Sequence, residues 1–172
     1  MVGTVVIVNG YPLSGKDEFI DQCIALNMCT IYRKSSVDPC KDAAVALGYE
    51  GEKTEAYRKF VSECKKIWNK YLGGSIQYVV KLALTRNEDV MFIHIRECDE
   101  IFNVRQILGR MGIKCVVIKV VRPGVDNITS NDSDADIDKL TGYTTINNKG
   151  SKEDLKEVAM DFLNNLIGVN NV

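Results

Sequence analysis

From Val5 to Asp17 the chain reads Val-Val-Ile-Val-Asn-Gly-Tyr-Pro-Leu-Ser-Gly-Lys-Asp, and no other stretch narrows its possible folds as far. The β-branched run up to Val8 reads as a buried strand, and Gly10 to Lys16 fits G-x-x-x-x-G-K, the pattern of a phosphate-binding loop. Glycines there let the backbone wrap an anion without Cβ clashes. Successive N–H groups then form a nest, and the following helix presents the positive end of its dipole. Lys16 is placed to reach the β- and γ-phosphates. The motif needs a strand before it and a helix after it, and both are present: Phe19, Ile20, Cys23, Ile24 and Leu26 give an apolar stripe from Asp17 to Asn27.

A Ser or Thr usually follows the loop lysine and offers its hydroxyl to Mg²⁺; here that residue is Asp17, a carboxylate suited to a hard cation. Ser14-Gly15-Lys16-Asp17 resembles the S-G-K-D loop of phage deoxynucleoside monophosphate kinases and animal-type phosphomevalonate kinases. The resemblance implies an ATP- and Mg²⁺-dependent kinase of a small metabolite. The donor-binding set it implies is Gly10, Ser14, Gly15, Lys16, Asp17 and Glu18, with Asp17 toward the metal.

Strands and helices alternate along the rest of the chain. Cys29 to Arg33 reads as a second strand. Asp38 as N-cap and Pro39 at the first helical position open a helix stopped by Gly48. A long helix is expected from about Lys53 to Leu72, with Phe60, Val61, Cys64, Ile67, Trp68 and Tyr71 on its buried side and Gly73-Gly74 ending it. Ile76 to Leu84 is a further helix, and Val90 to Ile95 is apolar enough for a central strand buried on both faces. Ile101 to Met111 is helical, Cys115 to Val121 a fourth strand and Tyr143 to Asn147 a fifth. Ser151 caps a last helix, with Asp154 three residues on. The tail from Gly168 is expected to fray. The pattern predicts an α/β, three-layer P-loop NTPase fold: a five-stranded parallel sheet with helices on both faces. One domain spans 1–172, with a helical acceptor-binding insertion at about 36–86 and a lid-like loop at about 122–140.

Phosphoryl transfer asks for positive charge around the transferring group, a metal, and an acceptor held in line. Arg96, just after the third strand, stands where many monophosphate kinases grip the acceptor phosphate, and a guanidinium can do so bidentately. A surface or helix-capping arginine is the other reading. Glu97 is the acidic group available to a metal or an acceptor hydroxyl, unless it pairs with Arg96 or Lys16. Ser35, Ser36, Asp38 and Lys41 gather where an acceptor would meet the second strand, although capping alone accounts for Ser36 and Asp38. Arg58 lies on the polar side of the long helix, either over the acceptor or solvated, and Arg122 is the lid-side arginine that would close on the transferred phosphoryl. The lone histidine, His94, reads as a hydrogen-bonded core residue. Asn148 and Gly150, in Asn147-Asn148-Lys149-Gly150, resemble the loop edging the donor base. In order, the phosphate loop, Ser35 to Pro39, Ile95 to Glu97 and Asn147 to Ser151 resemble the phage-type deoxynucleoside monophosphate kinase and adenylate-kinase-like family over nearly the whole chain.

With 172 residues and a formal charge of −1, the chain is large enough for its own core and has no electrostatic case for nucleic acid. No stretch approaches the roughly 18 apolar residues of a membrane span, and the six cysteines form no C-x-x-C pair. They read as thiols of a reducing, cytoplasmic compartment. The run from Asp132 to Asp138 alternates carboxylates, but it lacks the glycine and glutamate of a calcium loop and reads as solvated. The expected ligands are small-molecule nucleotides, with neither a nucleic acid nor a membrane as partner, and nothing specifies an oligomer. A nucleotide-binding protein that has lost transfer activity is the competing function.

Overall fold

Along β1 (Thr4–Asn9) the side chains alternate between two cores: Val5 and Ile7 enter one, Val6 and Val8 the other. Such alternation between two buried faces is possible only for an inner strand covered on both sides. The computed structural model describes residues 1–52, 54–125 and 140–168. The remaining elements are α1 (Lys16–Ala25), β2 (Ile31–Ser35), α2 (Asp38–Ala46), α3 (Glu55–Tyr71), α4 (Gly74–Thr85), β3 (Val90–His94), α5 (Cys98–Arg110), β4 (Lys114–Val121), β5 (Thr144–Asn147) and α6 (Lys152–Ile167). The strands form one parallel sheet in the order β2-β3-β1-β4-β5. This is the expected fold, centred on β1 rather than on β3.

Phe19, Ile20 and Cys23 of α1 pack with Leu155, Ala159 and Leu163 of α6 on the Val6–Val8 face. Val79 and Ala83 of α4 and Ile101, Val104 and Leu108 of α5 cover the opposite face. α3 packs on α2 and α4, partly through a T-shaped contact between Trp68 and Tyr78, with ring centroids 5.8 Å apart. Three helices, α2 to α4, therefore separate β2 from β3 in sequence.

Several local expectations shift. Ser151 and Asp154 form the capping box that their spacing predicts. Asp38 is not an N-cap: Val37 holds that place, while the Asp38 carboxylate accepts from Ser35 N at 2.8 Å and Lys41 Nζ at 2.7 Å. On α3 the apolar stripe is rotated off the core. Phe60, Ile67 and Tyr71 are 37%, 59% and 66% exposed, whereas Lys65 is buried. The physical reason is a polar partner on α5, described below, which draws Lys65 inward and turns the outer part of the stripe to solvent. Most of the lid-like loop and all of Asp132–Asp138 lie outside the described residues, as does the tail beyond Gly168.

Candidate phosphate-binding site

The loop leaves β1 at Gly10, whose φ of 138° only glycine adopts easily, and a Cβ there would overlap the Val120 carbonyl of β4. It re-enters regular structure at Gly15, the N-cap of α1, with φ 89°. A glycine N-cap offers no side-chain acceptor, so the first N–H groups of α1 keep the orientation in which a helix N-terminus receives an anion. Lys16 Nζ folds across the loop and donates to the carbonyls of Gly10 and Tyr11 at 2.6 Å each. Ser14 is buried; its N–H donates to the Tyr11 carbonyl at 3.2 Å.

Two buried asparagines hold this loop from outside. Asn148, just after β5, donates from Nδ2 to the Ser14 carbonyl at 3.0 Å, and its backbone N–H donates to the Val121 carbonyl at 2.8 Å. A Cβ on Gly15 would overlap the same Nδ2. Asn9, the last residue of β1, accepts from the Gly10 N–H at 2.6 Å and donates to the carbonyls of Ile95 and Arg96 at 2.9 and 3.0 Å. It ties the first loop residue to the strand end that carries Arg96. Asn9 went unnoticed in the sequence because an asparagine before a glycine reads as turn chemistry.

Asp17 is in the first turn of α1, its side chain 80% exposed, with Oδ1 3.4 Å from His94 Nε2. The contact with His94 holds the Asp17 carboxyl down at about 2, and the charges of Arg33 and Lys16 act in the same sense. His94 is thus a largely buried neighbour of the loop, and its Nε2 lacks the hydrogen bond expected of a core histidine: it points to the face that α1 covers, and the first turn of α1 lies over it. Glu18 accepts from Gln22 at 2.9 Å and pairs with Lys152 of α6 at 3.2 Å, which lowers its pKa and ties α1 to α6.

Glu97 pairs with Lys65 of α3 at 2.6 Å, and Lys65 reaches Glu100 at 2.9 Å. Glu100 also accepts from Ser75 Oγ at 2.7 Å and Asn69 Nδ2 at 3.1 Å. The buried Glu100 therefore faces three donors from α3 and α4, and this knot binds the insertion to α5. A lysine midway along an otherwise amphipathic helix gave no signal of it. Arg96 and Arg122 are exposed at the carboxyl ends of β3 and β4, and Arg58 is exposed in the first turns of α3. The Ser36 N–H donates to the His94 carbonyl at 3.0 Å, which joins the β2 end to the β3 end. The structure thus links the loop, Asp17, His94, Asn9 and the β3 end through direct contacts; Lys41 is drawn to Asp38.

Beside the loop, Asn147, Asn148, Lys149, Gly150, Asp154 and Leu155 line a cleft of about 320 Å³. A larger one, about 480 Å³, lies at the opposite, amino end of β2 and β3, where Thr30 and Asp89 bond each other. It is remote from the loop. Among the described residues no group of three or more His, Cys, Asp or Glu is placed to hold a metal ion; Mg²⁺ is commonly held by one or two carboxylates together with phosphates and water. Asp17, an exposed oxygen donor in the turn that follows the loop, fits that requirement.

No protein-family model and no curated protein matches the chain. Among solved structures, the Mycobacterium tuberculosis APS kinase in complex with AMPPNP and APS is similar with a TM-score of 0.52 at 12% identity, covering 94% of this chain and 98% of that one. A protein assigned as a kinase from Chloroflexus aurantiacus is similar with a TM-score of 0.53 at 11% identity, covering 95% and 97%. At such identities the likeness is one of fold. The chain has the three-layer P-loop NTPase fold, and no described helix is long and apolar enough to cross a membrane.

Proposed function

We propose that the protein is an ATP- and Mg²⁺-dependent kinase that phosphorylates a small phosphorylated acceptor, a nucleoside or deoxynucleoside monophosphate. The observation that carries this is the loop itself. Gly10 and Gly15 take left-handed backbone angles that close it, Lys16 crowns it, and the uncapped N-terminus of α1 faces it.

In this reading Lys16 and the loop N–H groups hold the donor phosphates, and Ser14 and Asn148 keep the loop in shape. Asp17 faces the metal, which when bound neutralises charge on the phosphates. Arg96 grips the acceptor phosphate at the β3 end, Glu97 serves an acceptor hydroxyl or the metal once it leaves Lys65, and Arg122 closes over the transfer. Ser35, Ser36, Lys41 and Arg58 border the acceptor side, and Glu18 and Gly150 support the donor side. An ionised oxygen of the acceptor phosphate would bond to the γ-phosphorus as the bond to the departing nucleoside diphosphate breaks, and any proton still carried by that phosphate would pass to solvent.

The test is a coupled ADP-release assay of the full chain with ATP, Mg²⁺ and a panel of nucleoside and deoxynucleoside monophosphates. Turnover with one or more of them is expected. Turnover only with acceptors lacking a phosphate would overturn the acceptor class, and ATP binding without turnover on any acceptor would leave a nucleotide-binding protein.

A further inference from the structure

His94 is the last residue of β3 and Asp17 belongs to the first turn of α1, and the packing of the two elements brings their side chains together. His94 sits opposite Val8 of β1 and follows the alternation of Phe92, so it faces the layer in which Phe19 and Ile20 dock α1 on the sheet. Burying those side chains lays the first turn of α1 over the imidazole. Nε2 of His94 is closed to solvent, makes no hydrogen bond that meets normal geometry, and lies 3.4 Å from Asp17 Oδ1; the His94 side chain is 19% exposed and that of Asp17 80%. One carboxylate oxygen therefore rests on a buried ring while most of the group remains open beside the loop.

The contact has a competitor. Gly15 provides no side-chain cap for α1, and an unrestrained aspartate in a first turn tends to swing its carboxylate back onto the helix's own N–H groups. Those N–H groups are the ones an incoming phosphate needs. An aspartate turned onto them would fill the anion site with a negative charge; an aspartate held aside leaves the site clear and presents an oxygen at its edge.

We infer that His94 is a positioning residue for Asp17: it holds the carboxylate off the loop N–H groups and toward the place where a divalent cation enters with the nucleotide phosphates. This rests on the ATP and Mg²⁺ reading above. The sheet end supplies the orienting group and the loop helix the carboxylate, so a metal-facing pair is built across β3 and α1.

The experiment is calorimetric titration of the full chain with ATP, with and without Mg²⁺, the readout being the ratio of the two affinities. His94→Phe keeps the ring and removes both nitrogens; His94→Gln keeps an N–H donor at similar reach. Groups that orient metal ligands commonly contribute about 10–100-fold to metal affinity. His94→Phe is therefore expected to lose about tenfold or more of the Mg²⁺ enhancement, and His94→Gln to retain most of it. If His94→Phe fails to fold, His94→Gln alone and combined with Asp17→Asn decides: Gln must keep the enhancement, and in the Asp17→Asn background it must have no further effect. A wild-type enhancement preserved in His94→Phe, or lost in a folded His94→Gln, overturns the inference and leaves the kinase reading standing. Wild-type ATP binding indifferent to Mg²⁺ overturns the metal reading itself, and this is seen before any substitution is made.

Discussion

The carboxamide of Asn148 donates to the Ser14 carbonyl at 3.0 Å and lies where a Cβ on Gly15 would have to be. A buried asparagine from the far end of the chain thus shapes the anion loop from outside. Asn148→Ala leaves the buried Ser14 carbonyl without this donor, at a cost of about 1–3 kcal/mol. Gly15→Ala adds a clash to an unfavourable backbone angle. The two substitutions are expected to be non-additive by about 0.5 kcal/mol or more, because the first makes room for the second. Urea denaturation of the single and double variants measures this, and strict additivity would contradict it.

Lys16→Ala should leave the fold intact, since Nζ donates to the loop carbonyls of Gly10 and Tyr11 and the residue belongs to neither hydrophobic core. At ATP about 100-fold above its Kd, binding adds roughly 2.7 kcal/mol, a rise in Tm of about 5–10 °C for a chain of this size. The wild type should show that rise with Mg²⁺ and the variant little of it. The comparison is a thermal melt with and without ligand.

Lys65 meets two carboxylates of different character, with the Glu97 side chain 33% exposed and that of Glu100 11%. Glu100→Gln weakens three buried contacts and is expected to cost about 1.5–3 kcal/mol, the range for hydrogen bonds to charged groups. Glu97→Gln leaves Lys65 paired with Glu100 and should change stability by less than about 1 kcal/mol. Equal losses in chemical denaturation would show that both glutamates are structural.

The Asp17 carboxyl lies at about 2 in the folded chain against 3.8 for a free aspartate. A depressed pKa stabilises the fold above the unfolded value, and the contribution is lost as pH falls through the folded one. The stability difference between wild type and Asp17→Asn should therefore be constant with respect to this group above about pH 4 and shrink between pH 4 and 2. Denaturant midpoints at pH 6, 4 and 3 follow it. A difference that grew on acidification would reverse the sign and remove the contact.

By itself the sequence determined the order of strands and helices, the anion loop and the last helix with its capping box. These are local: a β-branched run, a glycine spacing and a Ser–Asp pair three residues apart act within one or two turns of backbone. Parallel pairing of the first four strands is expected from alternation, because a helical crossover commonly returns the chain to the same end of the sheet; β5 follows β4 with no described helix between them, and its parallel register came from the tertiary structure. Only the tertiary structure decided which polar side chains meet across elements. Asn9, His94, Asn148 and Lys65 each find partners on another element, up to 134 residues away for Asn148 and Ser14. Their identities alone suggest a turn, a core histidine, a loop edge and a solvated lysine. The rotation of α3 has the same origin: an apolar stripe specifies a helix and a preferred side, but a buried carboxylate on α5 draws Lys65 inward. Leaving that carboxylate unpaired inside the protein costs more than exposing Ile67 and Tyr71 to water.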